Sequence, residues 1–429
     1  MAKIRFNNVE LTKSVGTTSV IPPVVWAEQK ILASDAAGND AFGSTVAMSE
    51  DGTTAIVGAY VEDATGFSDA GSAYIFTQVG GIWLEEQKLI AGDPEGGGYF
   101  GWAVSLSGDG NTAIVGAYGE DTVGAEAGAA YIFTRSGGVW TQQQKLQASD
   151  IEQYDRFGYS VSISSDGNTA IIGAYGESAG GILAGAAYIF TQSGGVWTEQ
   201  QKILASDAQA SDNFGWSVSI SSDGNTAIVG SYGEDTGGSL AGSAYMYTRS
   251  GGVWTQQQKI QASDVQGGDR FGYTVSMSSD GNTAIIGAYH EDTGASGAGS
   301  AYIFTQSGGV WTQQQKIQAS DAEATDYFGY KVSMSSDGNT AIIGAYLEDT
   351  GAISAGAAYI FTSSGGVWTQ QQKLQASDKG EDDRYGSSVY ISGDGTKAIV
   401  GSPREDAPLG NQGASYIYMK FNKIFLNDK

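Results

Sequence analysis

Cysteine is absent from these 429 residues. That excludes disulfides and thiolate metal sites, and it leaves the redox compartment undefined. Histidine occurs once, at His290, so neither a Ser-His-Asp triad nor a histidine-rich metal centre can be built. Proline is scarce, at 5 residues, and no Gly-X-Y period excuses the glycines as collagen. Positive charge is short too: 22 Lys and Arg stand against 47 Asp and Glu, a net charge of −25. A nucleic-acid backbone or an anionic membrane needs clustered Lys and Arg, so neither is an expected partner. No apolar run approaches the roughly 20 residues that span a bilayer. The opening MAKIRFNNVELTKS has no apolar centre of the kind a secretion signal carries. No phosphate loop or dinucleotide fingerprint occurs, and SGGVW reads as a hairpin turn.

What the chain has in excess is glycine, 64 residues, and one phrase written seven times. RFGYSVSISSDGNTAIIGAYGE (156–177) is the clearest copy, and its aromatic-glycine pair recurs at Phe42, Phe100, Phe157, Phe214, Phe271, Phe328 and Tyr385. The first step is 58 residues and the other five are 57. Trp26, Trp83, Trp140, Trp197, Trp254, Trp311 and Trp368 keep the same period. Each copy holds four short strands, of the types FGYSVSIS, TAIIGAY, AAYIFTQ and VWTQQQKLQ, bounded by Gly, Asp, Asn or Ser. Four strands repeated seven times specify an all-β, seven-bladed β-propeller of antiparallel blades. Alternation puts Phe157, Tyr159, Val161 and Ile163 on one face of the first strand and small residues on the other. Tryptophan marks the outer strand, where blades splay apart, and the Lys of QQQK is read as protection of that exposed edge.

The phase of the repeat predicts how the ring closes. A Trp strand precedes the first Phe-Gly, whereas the last copy ends at ASYIYMK (414–420) without one. The segment 26–31 should therefore be the outer strand of blade seven. This divides the chain into an N-terminal arm (1–25), a propeller (26–419) and a C-terminal tail (420–429). The stretches outside the ring carry +2 each, which leaves −29 on the propeller. KIRFNNVEL and FNKIFL read as amphipathic strands that closure brings together beside blade seven.

These motifs resemble the FG-GAP repeat family, best known from the seven-bladed propeller of integrin α subunits. The resemblance covers 26–419: FG and an alternating strand, then DGNTAIIGAY, then GAAYIF. The last copy, VGSPRED (400–406), keeps the family's proline where the others place Tyr. The variant is the one met in bacterial and viral surface proteins. The resemblance implies a fold, and it leaves function open because propellers host many activities. It also raises calcium, which family members bind in the loop after the first strand. Here that loop, SSDGNT (164–169), holds the single carboxylate of Asp166. Calcium takes six to eight oxygens, so the loop is expected to be a turn and no cofactor is expected.

Alternate loops of an antiparallel blade point to opposite faces. The second-to-third and blade-to-blade loops should share one face and make it a negative ring. Its candidate binding residues are Glu120, Asp121, Asp150, Glu177, Asp207, Glu234, Asp235, Asp264, Glu291, Asp292, Asp321, Glu348 and Asp349. The competing reading is that these carboxylates cap turns or are solvated. Trp102, Tyr159, Trp216, Tyr273 and Tyr330, next to the Phe-Gly glycine, are expected to pack as core between blades rather than to form a sugar-stacking ring. His290 is expected on an exposed loop. Near-equivalent blades do not split carboxylate pKa values as glycoside hydrolysis demands, so the chain is read as non-enzymatic: a binding, adhesion or structural propeller. The expected setting is a virion (tail fibre, neck or decoration) or an extracellular surface. There the termini would dock to a protein partner and a cell-surface glycan or protein would be the receptor. A glycan hydrolase using the acidic face and a ligand-free spacer are the alternatives.

Overall fold

In the computed structural model, which describes residues 25–406 and 410–421, every blade follows one recipe. Blade three shows it. Its inner strand Ser160–Ile163 is short, its second strand Thr169–Ala174 is wholly buried, and its third and outer strands are Ala186–Ser193 and Val196–Ile203. The four form one antiparallel sheet, and seven such sheets make the ring. A β-bulge at Gln200, opposite Ile189 and Phe190, bends the outer strand against the third one, which adds the twist that a blade needs. Apart from a 3-10 turn at Ala64–Gly66, the described residues are strand, turn and loop. No helix among them is long and apolar enough to cross a membrane.

Closure follows the phase of the repeat. Val25–Ile31 pairs with Ala414–Phe421 in register Val25↔Phe421 to Ile31↔Ser415 and completes blade seven. The two ends of the described ring therefore lie side by side. KIRFNNVEL and FNKIFL fall, except for Phe421, outside the described residues.

The core sits between blades. One cluster joins Ile114, Ala130 and Ile132 of blade two to Phe157, Ile172, Tyr188, Phe190 and Trp197 of blade three. Phe157 meets Tyr188 edge-on at 5.5 Å, a favoured geometry for aromatic pairs. Outer strands add a second seam. The Gln144 side-chain amide donates to the Trp197 carbonyl (2.9 Å) and accepts from the Trp197 N–H (2.9 Å). Gln29, Gln87, Gln201, Gln258 and Gln315 clamp the next blade's Trp in the same way. Gln372, which faces the closing strand, instead donates to the Lys373 carbonyl. The QQQK lysine does not guard the edge, contrary to expectation. Its ammonium folds back into the loop face, where carboxylates offset its charge.

At the axis, the seven Asp-Gly hairpins meet. The Glu50 N–H donates to the Gly108 carbonyl, Gly108 to Ser165, Ser165 to Ser222, Ser222 to Ser279, Ser279 to Ser336, Ser336 to Gly393 and Gly393 back to Glu50, at 2.9–3.1 Å. Seven peptide groups thus form a closed hydrogen-bonded ring across one end of the channel.

Candidate functional site

Two places gather chemistry: the acidic loop face and the axial channel. On the loop face, each blade assembles the same cluster from three separated segments. In blade three the Lys202 ammonium bridges Asp150 of the blade-to-blade loop (2.9 Å) and Glu177 of the second-to-third loop (2.8 Å). The Tyr188 hydroxyl donates to Asp150 at 3.0 Å, and Lys202 lies 5.4 Å above the Tyr188 ring. The same pairing takes Glu120 to Lys145, Asp207 and Glu234 to Lys259, Asp264 and Glu291 to Lys316, and Asp321 and Glu348 to Lys373, all at 2.6–2.8 Å. Burial works against the Lys202 ammonium, but its hydrogen bonds to Glu177 and Asp150 outweigh this and hold its pKa above the usual value. The glutamates are buried, while the aspartates of the cluster remain about half exposed. Asp121, Asp235, Asp292 and Asp349 stay exposed and accept backbone N–H groups from Glu126, Leu240, Gly297 and Ser354 at 2.6–2.8 Å. The carboxylates of this face thus have partners of their own.

A second acidic set lies beneath it. Asp155, Asp212, Asp269 and Asp326, from the position before Arg, Asn or Tyr and the Phe-Gly pair, are buried. Each accepts one backbone N–H three residues upstream at 2.7–2.8 Å. Burial pushes all four up to about 6; the backbone bond opposes the shift and a neighbouring glutamate adds to it.

The hairpin loops do not fit calcium. Asp166 accepts from Ser164 Oγ, the Asn168 N–H and Asn168 Nδ2 at 2.6–3.0 Å, which occupies both carboxylate oxygens within the turn. Burial opposes ionisation of Asp166, and these bonds prevail, holding it below the usual carboxylate range. Among the described residues no group of three or more His, Asp or Glu converges on a metal-sized space.

The axial channel differs from expectation. Trp102, Tyr159, Trp216, Tyr273 and Tyr330 are half-buried rather than enclosed between blades, and they line a cavity of about 580 Å³ on the axis. They interleave with Tyr60, Tyr118, Tyr175, Tyr232, Tyr289 and Tyr346, from the end of the second strands, in a continuous belt. Successive ring centroids along it are 4.3–5.6 Å apart. The belt lies at the strand ends that lead into the acidic loops, so it rims the channel on that face. It is interrupted where blade seven meets blade one, because Ser387, Pro403 and Ser44 replace the aromatic residues. His290 is likewise not free on a loop: it packs against Tyr289 and Tyr327 at 4.5 and 4.8 Å. Burial, then Arg270, lower its pKa.

Below the belt the inner strands present serine hydroxyls, among them Ser162, Ser219 and Ser276. The floor is the peptide ring, over which the Glu50 carboxylate accepts from Ser165, Ser222 (2.9 Å) and Ser279 (3.3 Å). The channel is therefore a cup, aromatic at its rim and hydroxylic within. Such an enclosed volume is in the range of small-molecule sites. Arg384 and Arg404 reach its lining, both paired with Asp382 at 2.9 and 2.5 Å. The mouth thus carries positive side chains in a molecule of strongly negative net charge. From sequence, the aromatic residues after FG are weighed as a stacking ring but placed in the core; the matching tyrosines after GA are the further signal.

The FG-GAP repeat family model matches the chain seven times, at 26–76, 83–133, 140–190, 197–247, 254–304, 311–361 and 368–418. Among solved structures, the chain is similar to hydrazine synthase of Kuenenia stuttgartiensis, with a TM-score of 0.56 and 15% identity over 86% of this chain and 95% of that one. At that identity the likeness is one of fold. No curated protein matches.

Proposed function

Because the chain belongs to the FG-GAP repeat family, whose frame does not dictate a chemistry, we propose that it is a non-enzymatic binding module whose ligand occupies the axial cup. The observation that carries this reading is the belt of half-buried aromatic rings around a closed-ended, hydroxyl-lined cavity. Flat ring faces with convergent hydroxyl groups suit a polar ligand with apolar patches, such as a saccharide. The loop-face carboxylates, held by lysines and backbone N–H groups, are poorly placed to act as a free acid–base pair. The hydrazine synthase neighbour is an enzyme by its name, and a shared fold carries no catalytic group to this chain.

Binding of an oligosaccharide panel to the full chain, compared with Trp216→Ala, tests the site. Loss of the rim ring should weaken binding about tenfold or more, roughly 1.4 kcal/mol, without product formation. Binding that survives the substitution overturns the reading. Attachment belongs to the other edge. The paired Val25 and Phe421 bring both chain ends to blade seven, and docking through 1–24 would orient the cup outward on a cell or virion surface. Removing residues 1–24 should leave the ring folded by circular dichroism and abolish its incorporation into the native assembly.

A further inference from the structure

The seven copies are near-identical frames, and one of their departures from one another lies at the axis. At the first position of the inner strand, six blades carry Thr45, Ala103, Ser160, Ser217, Thr274 and Ser388; blade six carries Lys331. This lysine lines the cup and is partly exposed there. Among the described residues no hydrogen bond, ion pair or stacked ring engages its ammonium. Burial without a partner brings its pKa down to about 8, so at neutral pH it is still mainly protonated. The cup's own carboxylate, Glu50, is held on the floor by serine hydroxyls. Blade six adjoins blade seven, where the aromatic belt is interrupted at Ser387 and Pro403 and where Arg384 and Arg404 reach the lining. Positive charge and the gap in the belt thus fall on one side of the cavity.

An unpaired ammonium drawn partly out of water is unfavourable, and an anion delivered beside it reduces the penalty. Arg384 and Arg404 are tied to Asp382, which leaves one free ammonium among hydroxyls; this suits a singly charged, compact anion, whereas a phosphate wants several convergent donors. We propose that the cup takes a carboxylate-bearing saccharide, its sugar rings against the belt and its carboxylate on the Lys331 ammonium. This rests on the cup being the ligand site.

The test is calorimetric titration of the full chain with an aldobiouronic acid (glucuronosyl-glucose, one carboxylate) and with its methyl ester, which keeps the sugar and removes the charge. The acid should bind about tenfold or more tightly than the ester. Lys331→Met should reduce acid binding to the ester's level, leave ester binding unchanged and leave the thermal midpoint no lower than in the parent chain. Equal binding of acid and ester to the parent chain overturns the inference whether or not the variant folds. So does a preference for the acid that persists in Lys331→Met, or absence of binding by the acid. If both sugars bind equally and both are lost in Trp216→Ala, the cup remains the site and only the assignment to Lys331 falls. If neither is affected by Trp216→Ala, the cup itself is excluded.

Discussion

The glycine of each Phe-Gly pair adopts a left-handed backbone, with φ between 87° and 91° in all seven blades. Its carbonyl then meets the glycine of the preceding blade's GAY segment. A Cβ on Gly173 would stand 1.9 Å from the Gly215 oxygen, and the equivalent glycines are as tight. Both motif glycines are thus the two sides of a backbone contact between blades. Gly173→Ala should cost about 3 kcal/mol, read as a lowered denaturant midpoint with the slope unchanged. Side-chain parity along FGYSVSIS correctly separates its two faces, yet it misplaced Tyr159 in the core. Alternation fixes the face from which a residue projects but not its depth along the strand. Tyr159 precedes Ser160–Ile163, above the layer packed by Val161 and Ile163, and so reaches the cavity. The Lys–Glu–Asp cluster was open to detection: in blades two to six one lysine follows the glutamate by 25 residues and the aspartate by 52.

Strands, their order and the closing pair were all legible, because a 57-residue period samples each strand boundary seven times and its phase is set by the tryptophans. What the period could not show is which side chains reach across a seam. The glutamine clamp is the clearest case, since its two bonds join positions 53 apart on different blades. The clamp also predicts an asymmetry. Gln144→Ala removes both bonds to Trp197 and should cost about 1–2 kcal/mol. Gln372→Ala, at the seam that lacks the clamp, should be near neutral. Equal losses in thermal melts of the two variants would remove the clamp from the account of stability.

Across the whole molecule, two populations of carboxylate pull stability in opposite directions. Asp155, Asp212, Asp269 and Asp326, raised to about 6, stabilise the fold fully below the unfolded value of about 4 and lose that contribution as pH rises through about 6. The hairpin and cluster aspartates, typified by Asp166 and Asp150, are lowered by hydrogen bonds that outweigh burial. Their contribution is present above about 4 and lost as pH falls further. The thermal midpoint should therefore peak near pH 4, decline as pH rises from about 4 to 6, level off above that and fall steeply below 4. Replacing all four buried aspartates with Asn should flatten the decline from about 4 to 6. The peptide ring across the hairpin end has a kinetic consequence. With that end encircled by seven mutual hydrogen bonds and crossed by the Glu50 carboxylate on its serines, a saccharide in the cup must enter and leave through the same aromatic rim. Anything that settles on the rim would trap what lies beneath and slow its departure and its arrival equally, leaving equilibrium affinity unchanged. Residence time in this protein is thus open to control by a capping partner that never touches the ligand.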